Sequence, residues 1–216
     1  MLHCRYGPRE IPGGRTFSSK ATLACDVRYA PFSSRPWRSR ALENFDTERE
    51  ASLNLTHSLS ACILLDRYPK ALIDIVVTVL EADGGDDAAV LLAASLSLAD
   101  AGIQMIDVPV AATVACLSAP GTVGGANARF VIDPDEAELA ACSFSCLVVL
   151  LPRIGTIVRA IHSGEAEPAG FVRCTTLAMD ACLAVFNVTR AALVDSVRRR
   201  GTLRDSTNVI AAAAVC

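Results

Sequence analysis

The sequence has 216 residues, of which 52% are hydrophobic and 20% are charged. This composition is typical of a globular protein and excludes a disordered or fibrous chain. The formal net charge of −3 gives no general attraction to nucleic acid or to an anionic membrane. Any contact with RNA must therefore come from a local cluster of arginines.

The sequence contains nine cysteines, which could indicate disulfides or a zinc site. Their number is odd, no C-x-x-C pair occurs, and most lie in apolar segments, so we expect free, buried thiols in a reducing compartment. The N-terminus has no apolar signal core, and the longest apolar run, residues 88–99, is too short to cross a bilayer. We therefore expect a soluble, intracellular protein.

The first elements of the chain are a strand, a loop and a helix. Residues 21–32 alternate loosely between apolar and polar, which predicts a strand. The polar, basic segment SSRPWRSRALENF that follows predicts an exposed loop. Thr47 and Glu50 have the spacing of a capping box, so a helix is expected to begin at Thr47 and to run to about residue 65.

A strand, a helix and a strand are predicted next. The β-branched run at 71–82 is typical of a strand buried on both faces. A second helix is expected over about 86–100, with Gly102 just after its C-terminal end. The segment MIDVPVAATVACL at 105–117 predicts the next strand.

The second half repeats this order. ARFVID and SFSCLVVLL predict two strands with a short acidic helical turn, DPDEAELAA, between them. TIVRAIH predicts a further strand, and residues 168–200 predict one long amphipathic helix. Two successive units of sheet and helix indicate an α/β or α+β fold in which helices cover the sheets.

The segment LEADGGDD, residues 80–87, places two glycines between a strand and a helix. Such a turn often binds phosphate, because the helix N-terminus presents free N–H groups and a positive dipole. Here the glycines precede Asp86 and Asp87. Those aspartates could instead cap the helix, or together with Asp83 they could bind Mg²⁺.

The chain contains, in this order, GPRE at 7–10, CDVRYAPF with the arginine-rich loop after it, DRYPKALIDIVVTVLEADGG, and SLSLADAGIQMIDV. These motifs and their order resemble the RNase PH-like proteins, and most of all the messenger-RNA-transport-regulator type of subunit in the eukaryotic RNA exosome ring. The similarity runs from about residue 7 to about residue 201, and the block at 67–107 is specific.

The resemblance implies an α/β (α+β) fold of two β-α-β-α halves, related to the second domain of ribosomal protein S5. The halves would be residues 1–125 and 126–216, the latter with the long C-terminal helix. Family members carry further N-terminal strands before the GPRE motif, and these strands are missing from this sequence. Truncation of a longer sequence explains this better than the loss of strands, which would leave an unpaired sheet edge.

Active members of this family use inorganic phosphate to cleave the 3′ end of RNA, which requires guanidinium groups to bind phosphate and a carboxylate acid. The resemblance places the phosphate-binding Thr-Arg pair of active members at Asp86 and Asp87. A second arginine corresponds to Thr47, and the catalytic aspartate corresponds to Ser145. The carboxylate nearest to Ser145 in the sequence is Glu138, in the preceding helical turn.

These three substitutions predict a degenerate phosphorolytic site without catalytic residues, metal or cofactor. At an effective dielectric constant near 20, a charge about 5 Å from phosphate contributes roughly 3 kcal/mol per unit of phosphate charge. Replacing arginine by aspartate reverses the sign of this contribution. We therefore interpret Asp86 and Asp87 as a helix cap that replaces the phosphate.

The loop at 35–40 is the best candidate for contact with RNA, because arginines with an interleaved aromatic residue suit the backbone and bases of a single strand. A solvated loop, or one packed on a neighbouring subunit, is an equal alternative. The resemblance places this loop near the mouth of the central channel. The candidate RNA-binding residues are Arg35, Trp37, Arg38 and Arg40.

The resemblance thus implies a non-catalytic subunit of the RNA exosome core, with a structural and RNA-guiding role in 3′-to-5′ rRNA processing and mRNA decay. Its partners would be other RNase PH-like subunits in a hexameric ring, S1/KH cap subunits and single-stranded RNA, but neither DNA nor membrane. Nucleus, nucleolus and cytoplasm are the expected locations. The alternatives are an active phosphate-dependent 3′-to-5′ exoribonuclease and a decayed relative that no longer assembles.

Overall fold

The computed structural model describes the backbone of residues 2–7, 19–33, 42–117 and 129–213. Side chains are described for residues 19–33, 46–117 and 129–199. The predicted RNA-binding residues Arg35, Trp37, Arg38 and Arg40 lie outside these ranges, so their role stays a prediction.

The described chain contains seven strands, four α-helices and one short 3₁₀ helix (Leu65–Arg67). The strands are β1 (Leu2–Gly7), β2 (Thr22–Tyr29), β3 (Leu72–Val79), β4 (Val110–Leu117), β5 (Arg129–Ile132), β6 (Phe144–Leu151) and β7 (Thr156–Gly164). The helices are α1 (Leu42–Ser60), α2 (Asp86–Asp100), α3 (Glu136–Ala141) and α4 (Pro168–Ala213). The mixed α+β class predicted from the sequence is confirmed.

The first sheet has the order β1-β3-β2, in which β3 is antiparallel to β1 and parallel to β2. Along β3, Ile73, Ile75 and Val77 are buried, whereas the residues between them are only partly buried. The prediction of a strand buried on both faces is therefore wrong for β3. Its apolar run is explained by one face that packs on helices and by a central position in the sheet, not by burial on both faces.

Helix α1 covers the free edge of β2. The Ser52 hydroxyl accepts a hydrogen bond from Val27 N at 2.9 Å, and Glu48 Oε1 accepts one from Tyr29 N at 3.0 Å.

Helix α1 already includes Leu42, so Thr47 lies in its second turn and the predicted capping box is wrong. Thr47 and Glu50 have the spacing of a capping box, but they lie inside the helix, because the residues before Thr47 are already helical. The helix also ends at Ser60, five residues before the predicted end.

Helix α2 begins and ends where the sequence predicts. Gly102 has a φ of 76°, and its N–H donates to Ala99 O at 3.1 Å, while Ile103 N donates to Leu98 O at 3.1 Å. This pair of hydrogen bonds is the Schellman motif, which satisfies the last carbonyl groups of a helix. The predicted role of Gly102 is confirmed.

The second sheet has the order β5-β4-β6-β7, and all its neighbouring strands are antiparallel. Strand β4 lies in this sheet, so the change from one sheet to the other falls between α2 and β4. A single core joins the two sheets through α2: it includes Ile75 of β3, Leu98 of α2 and Val149 of β6. The division into halves at residues 125 and 126 stays a prediction.

Helix α4 packs on the second sheet through one face. Cys174, Ala178 and Cys182 on this face are fully buried, and the Cys174 thiol lies 3.6 Å from Val114 O. All seven described cysteines are free and five of them are buried, which confirms the prediction for these residues.

Besides the short apolar run at 88–99, the described chain contains one helix, α4, that is long and apolar enough to cross a membrane by length and composition. Within Pro168–Arg199 a window has a mean hydropathy of 1.6, and 22% of it is buried. This window is not an uninterrupted apolar run, because isolated charged residues such as Asp180 lie within it. A helix that covers a sheet can have the same composition, and α4 does cover the second sheet.

We expect Leu98→Ala to lower the free energy of unfolding by about 2–5 kcal/mol, because Leu98 has no exposed surface and its truncation leaves a cavity. Leu80→Ala is the matched control, since 51% of Leu80 is exposed and the loss should stay within about 0.5 kcal/mol. Chemical denaturation of both variants measures the difference. Equal losses would contradict the placement of α2 between the sheets.

Candidate functional site

The site predicted from the sequence forms one pocket. It is a cavity of about 410 Å³ between α1, the N-terminus of α2 and one face of the second sheet. Thr47, Asp87 and Ser145, the three degenerate positions, all line it. Arg49, which was expected to lie on another side of α1, does not line it. The fold therefore brings the three positions together, although they are 40 or more residues apart in the sequence.

The two glycines at the pocket wall permit a very close approach of two backbone segments. Gly84 and Gly85 have φ values of 97° and 26°. A Cβ on Gly84 would collide with the carbonyl oxygen of Pro134, and a Cβ on Gly85 would lie 2.6 Å from Asp133 Oδ1. The glycines therefore hold the start of α2 against the segment between β5 and α3.

Asp86 and Asp87 do not cap α2 as predicted. The N-cap residue is Gly85, and no side-chain hydrogen bond caps the helix. The two aspartates are the first two residues of α2, where their negative charge interacts favourably with the helix dipole. The expected electrostatic role is retained, but the capping hydrogen bond is absent because the aspartates lie inside the helix rather than at its N-cap.

The pocket is acidic. Glu50, Asp86, Asp87 and Glu136 line it, and no lysine, arginine or histidine is among the described lining residues. Glu136 was not predicted, because α3 lies far in sequence from α1 and α2 and only the folded chain brings it to the pocket. The carboxylate noted near Ser145 in the sequence, Glu138, instead accepts a hydrogen bond from Asp135 N within the capping box of α3.

The charge on Asp87 is disfavoured. Part of this side chain is exposed, yet desolvation of its carboxyl group raises its pKa, and the negative charge of Glu50 raises it further. The positive charge of Arg159 on β7 partly offsets this shift. Arg159 is itself held by α1, since its Nη2 donates to Asn54 Oδ1 at 2.6 Å. This arginine does not line the pocket.

Hydroxyl groups occupy the sheet side of the pocket. Ser145 on β6 is opposite Ser163 on β7, and both line the cavity together with Thr113 of β4. Ser145, at the position where the family resemblance predicts a catalytic carboxylate, thus presents only a hydroxyl group, which is a far weaker acid at neutral pH. None of the described residues on this wall carries a positive charge.

The alternative of a metal site at Asp83, Asp86 and Asp87 is not supported. In the parts of the chain whose side chains are described, no group of three or more His, Cys, Asp or Glu residues has the geometry to hold a metal ion. Asp83 does not line the pocket. The carboxylates face the cavity from three different helices rather than converging on one point.

Comparisons with known proteins agree with this geometry. Residues 4–104 match domain 1 of the 3′ exoribonuclease family, RNase PH. The human exosome complex component MTR3 is 31% identical over 196 residues, which cover 90% of this chain and 69% of that protein. The chain belongs to the RNase PH family. The archaeal exosome complex component Rrp41 of Cenarchaeum symbiosum is also 31% identical, over 88% of this chain and 74% of that protein.

A solved structure confirms the fold of this family member. The crystal structure of rice Rrp46 superposes with a TM-score of 0.70, covering 89% of this chain and 83% of that chain at 18% sequence identity. The RNase PH-like fold inferred from the sequence motifs is therefore confirmed.

We expect Gly84→Ala to destabilise the protein much more than Gly102→Ala. Both glycines have positive φ values, so alanine costs about 1–2 kcal/mol of backbone strain at either position. Only at Gly84 does the new Cβ also meet backbone atoms, whereas it meets nothing within 4 Å at Gly102. The overlap should add about 1–3 kcal/mol, measured as the difference between the two denaturation free energies. Equal values would contradict the close approach.

We expect Asp87→Asn to stabilise the protein at neutral pH. Because the folded-state pKa of Asp87 lies above its ordinary value, the folded state binds more protons between the two pKa values, and stability falls as pH rises through that window. The gain from asparagine should therefore be full at pH 7 and disappear towards about pH 4. Thermal denaturation from pH 4 to 8 measures it, with Asp83→Asn as the control for removing a nearby charge. A gain that persists unchanged at pH 4 would contradict this explanation.

Proposed function

We propose that this protein is a non-catalytic, RNase PH-like subunit of an RNA exosome ring. The main support for the proposal is the lining of the pocket. Four carboxylates line it, and none of the described lining residues has a cationic side chain. Similarity to exosome components MTR3 and Rrp41 supports the assembly. The role is structural, with guidance of RNA, in 3′-to-5′ processing and degradation of ribosomal and messenger RNA.

The electrostatics oppose phosphorolysis. Inorganic phosphate is a doubly charged anion near neutral pH, and its binding requires cationic or N–H donors. The first turn of an α-helix offers N–H donors of this kind, but Asp86 and Asp87 occupy that turn in α2. At an effective dielectric constant near 20, a carboxylate about 5 Å away opposes each unit of phosphate charge by roughly 3 kcal/mol. Two N–H groups contribute less than this opposition.

The partners proposed for the chain are other RNase PH-like subunits in a hexameric ring, S1/KH cap subunits and single-stranded RNA. The proposed locations are the nucleus, the nucleolus and the cytoplasm. The similarity to exosome components supports these partners and locations. The proposed contact with RNA is through Arg35, Trp37, Arg38 and Arg40, which lie outside the described residues.

The proposal is tested with the chain assembled with its RNase PH-like neighbours, end-labelled RNA and inorganic phosphate. We expect that any nucleoside diphosphate released is unaffected by Ser145→Ala or Asp87→Ala, because the activity would belong to another subunit. Release that disappears with either variant would show that this pocket is an active phosphorolytic site. Failure of the chain to associate with any exosome component would contradict the assembly.

Asp87→Arg should increase the affinity of the pocket for inorganic phosphate by about tenfold or more, because it replaces a repulsive charge by an attractive one. Isothermal titration calorimetry with phosphate measures this affinity. Asp83→Arg is the matched control, since it makes the same change of charge four residues earlier in the chain, outside the pocket lining. If the two variants bind phosphate equally, the charge of the pocket wall is not what excludes the anion.

A further inference from the structure

A second cavity lies at the opposite end of α2. It has a volume of about 790 Å³ and is formed by the end of α2, the segment that precedes β4, the turn between β6 and β7, and the middle of α4. We refer to it as the α2–α4 groove. Its floor is mainly aliphatic and includes Ile103, Met105, Val108 and Leu193.

The α2–α4 groove is separate from the acidic pocket. Asp87 near the start of α2 lines the pocket, whereas Ala99 near its end lines the groove. Helix α2 has 15 residues, which corresponds to about 22 Å at 1.5 Å per residue. In the same way Ser145 near the start of β6 lines the pocket, and Arg153 just beyond its end lines the groove. A molecule in the groove therefore does not contact the pocket.

Apolar side chains in the groove are exposed to solvent. Ile106 is 52% exposed and Val194 is 43% exposed, and both line the cavity. Phe186 adds an aromatic side chain to the same wall. Such a concentration of exposed apolar surface beside polar residues is typical of a protein interaction site.

The rim of the groove is positively charged. Arg153 and Arg190 line it and are exposed. The acidic residue of the groove, Asp107, is 6% exposed, and its two carboxylate oxygens accept hydrogen bonds from Val108 N at 2.9 Å and from Arg153 N at 2.8 Å. Both carboxylate oxygens of Asp107 thus bind backbone N–H groups and do not face the open groove. The two guanidinium groups therefore determine the charge that a ligand meets.

We infer that the α2–α4 groove binds a segment of a partner protein that combines acidic and aliphatic residues. The aliphatic side chains of that segment pack on Ile106 and Val194, and its carboxylates pair with Arg153 and Arg190. Charge complementarity fixes the sign of the partner. The groove offers one aromatic side chain, Phe186, among several aliphatic ones, so its lining favours an aliphatic protein segment over RNA, whose successive bases stack on aromatic side chains. This inference goes beyond the proposed function, because it holds whether or not the pocket is catalytic.

The test is photo-crosslinking from the groove. The photoreactive residue p-benzoylphenylalanine replaces Val194 in the full chain within the assembly isolated from cells. Val188 is the matched control, since it is also a valine of α4, is 71% exposed and does not line the groove. We expect mass spectrometry to find a cross-link from position 194, and not from position 188, to one acidic and aliphatic segment of a different polypeptide.

A charge reversal checks the role of the two arginines. Arg153→Glu combined with Arg190→Glu should lower the yield of that cross-link by about tenfold, because two attractive pairs become repulsive. Arg129→Glu, a reversal on the exposed edge strand β5 away from the groove, should leave the yield unchanged. Circular dichroism establishes that each variant is folded.

Four results would overturn the inference: cross-links to RNA, cross-links to a second copy of this chain, equal cross-links from positions 188 and 194, or a yield insensitive to the arginine reversal. None of them depends on nucleoside diphosphate release, so failure here and failure of the proposed function are distinguishable. A partner segment that is found but is basic would also overturn it, since the rim would then repel its ligand.

Discussion

The contact between the two glycines at the start of α2 and the segment before α3 determines the shape of the site. Because Gly84 has no Cβ, its backbone can approach the carbonyl of Pro134. That approach brings the first turn of α2 against the second sheet and brings Glu136 into the same cavity. The glycine pair therefore has a structural role in this chain, in which two aspartates follow it. Its presence in a sequence indicates this approach, not phosphate binding.

The fold does not depend on the chemistry of the pocket. The core that joins the sheets is formed by aliphatic residues such as Ile75, Leu98 and Val149, none of which lines the cavity. Substitution of pocket residues such as Asp87 can therefore change the chemistry of the pocket while this core remains intact. Desolvation raises the pKa of the Asp87 carboxyl group, so the charge of this residue does not stabilise the folded state at neutral pH.

Periodicity and turn residues predicted most elements, because α2, β4 and β6 carry their own signals of length, composition and termination. Predictions based on a single spacing were less reliable, as the false capping box at Thr47 shows: a local motif cannot reveal that the helix already includes Leu42. Glu136 and the α2–α4 groove were missed for a different reason. Each depends on contacts between segments distant in sequence, such as Asp107 with the turn at Arg153, and no local pattern predicts such contacts.

The two ends of α2 differ in what they can bind. At the N-terminus the dipole would favour an anion, yet carboxylates of the chain occupy that turn. At the C-terminus the Schellman motif of Gly102 satisfies the last carbonyl groups, and the segment after it turns Ile106 outward, where 52% of the residue is exposed. The chain thus presents carboxylates at one end of α2 and apolar surface with guanidinium groups at the other. This distribution is the physical basis of our proposal that the chain binds other macromolecules and does not transform a phosphate.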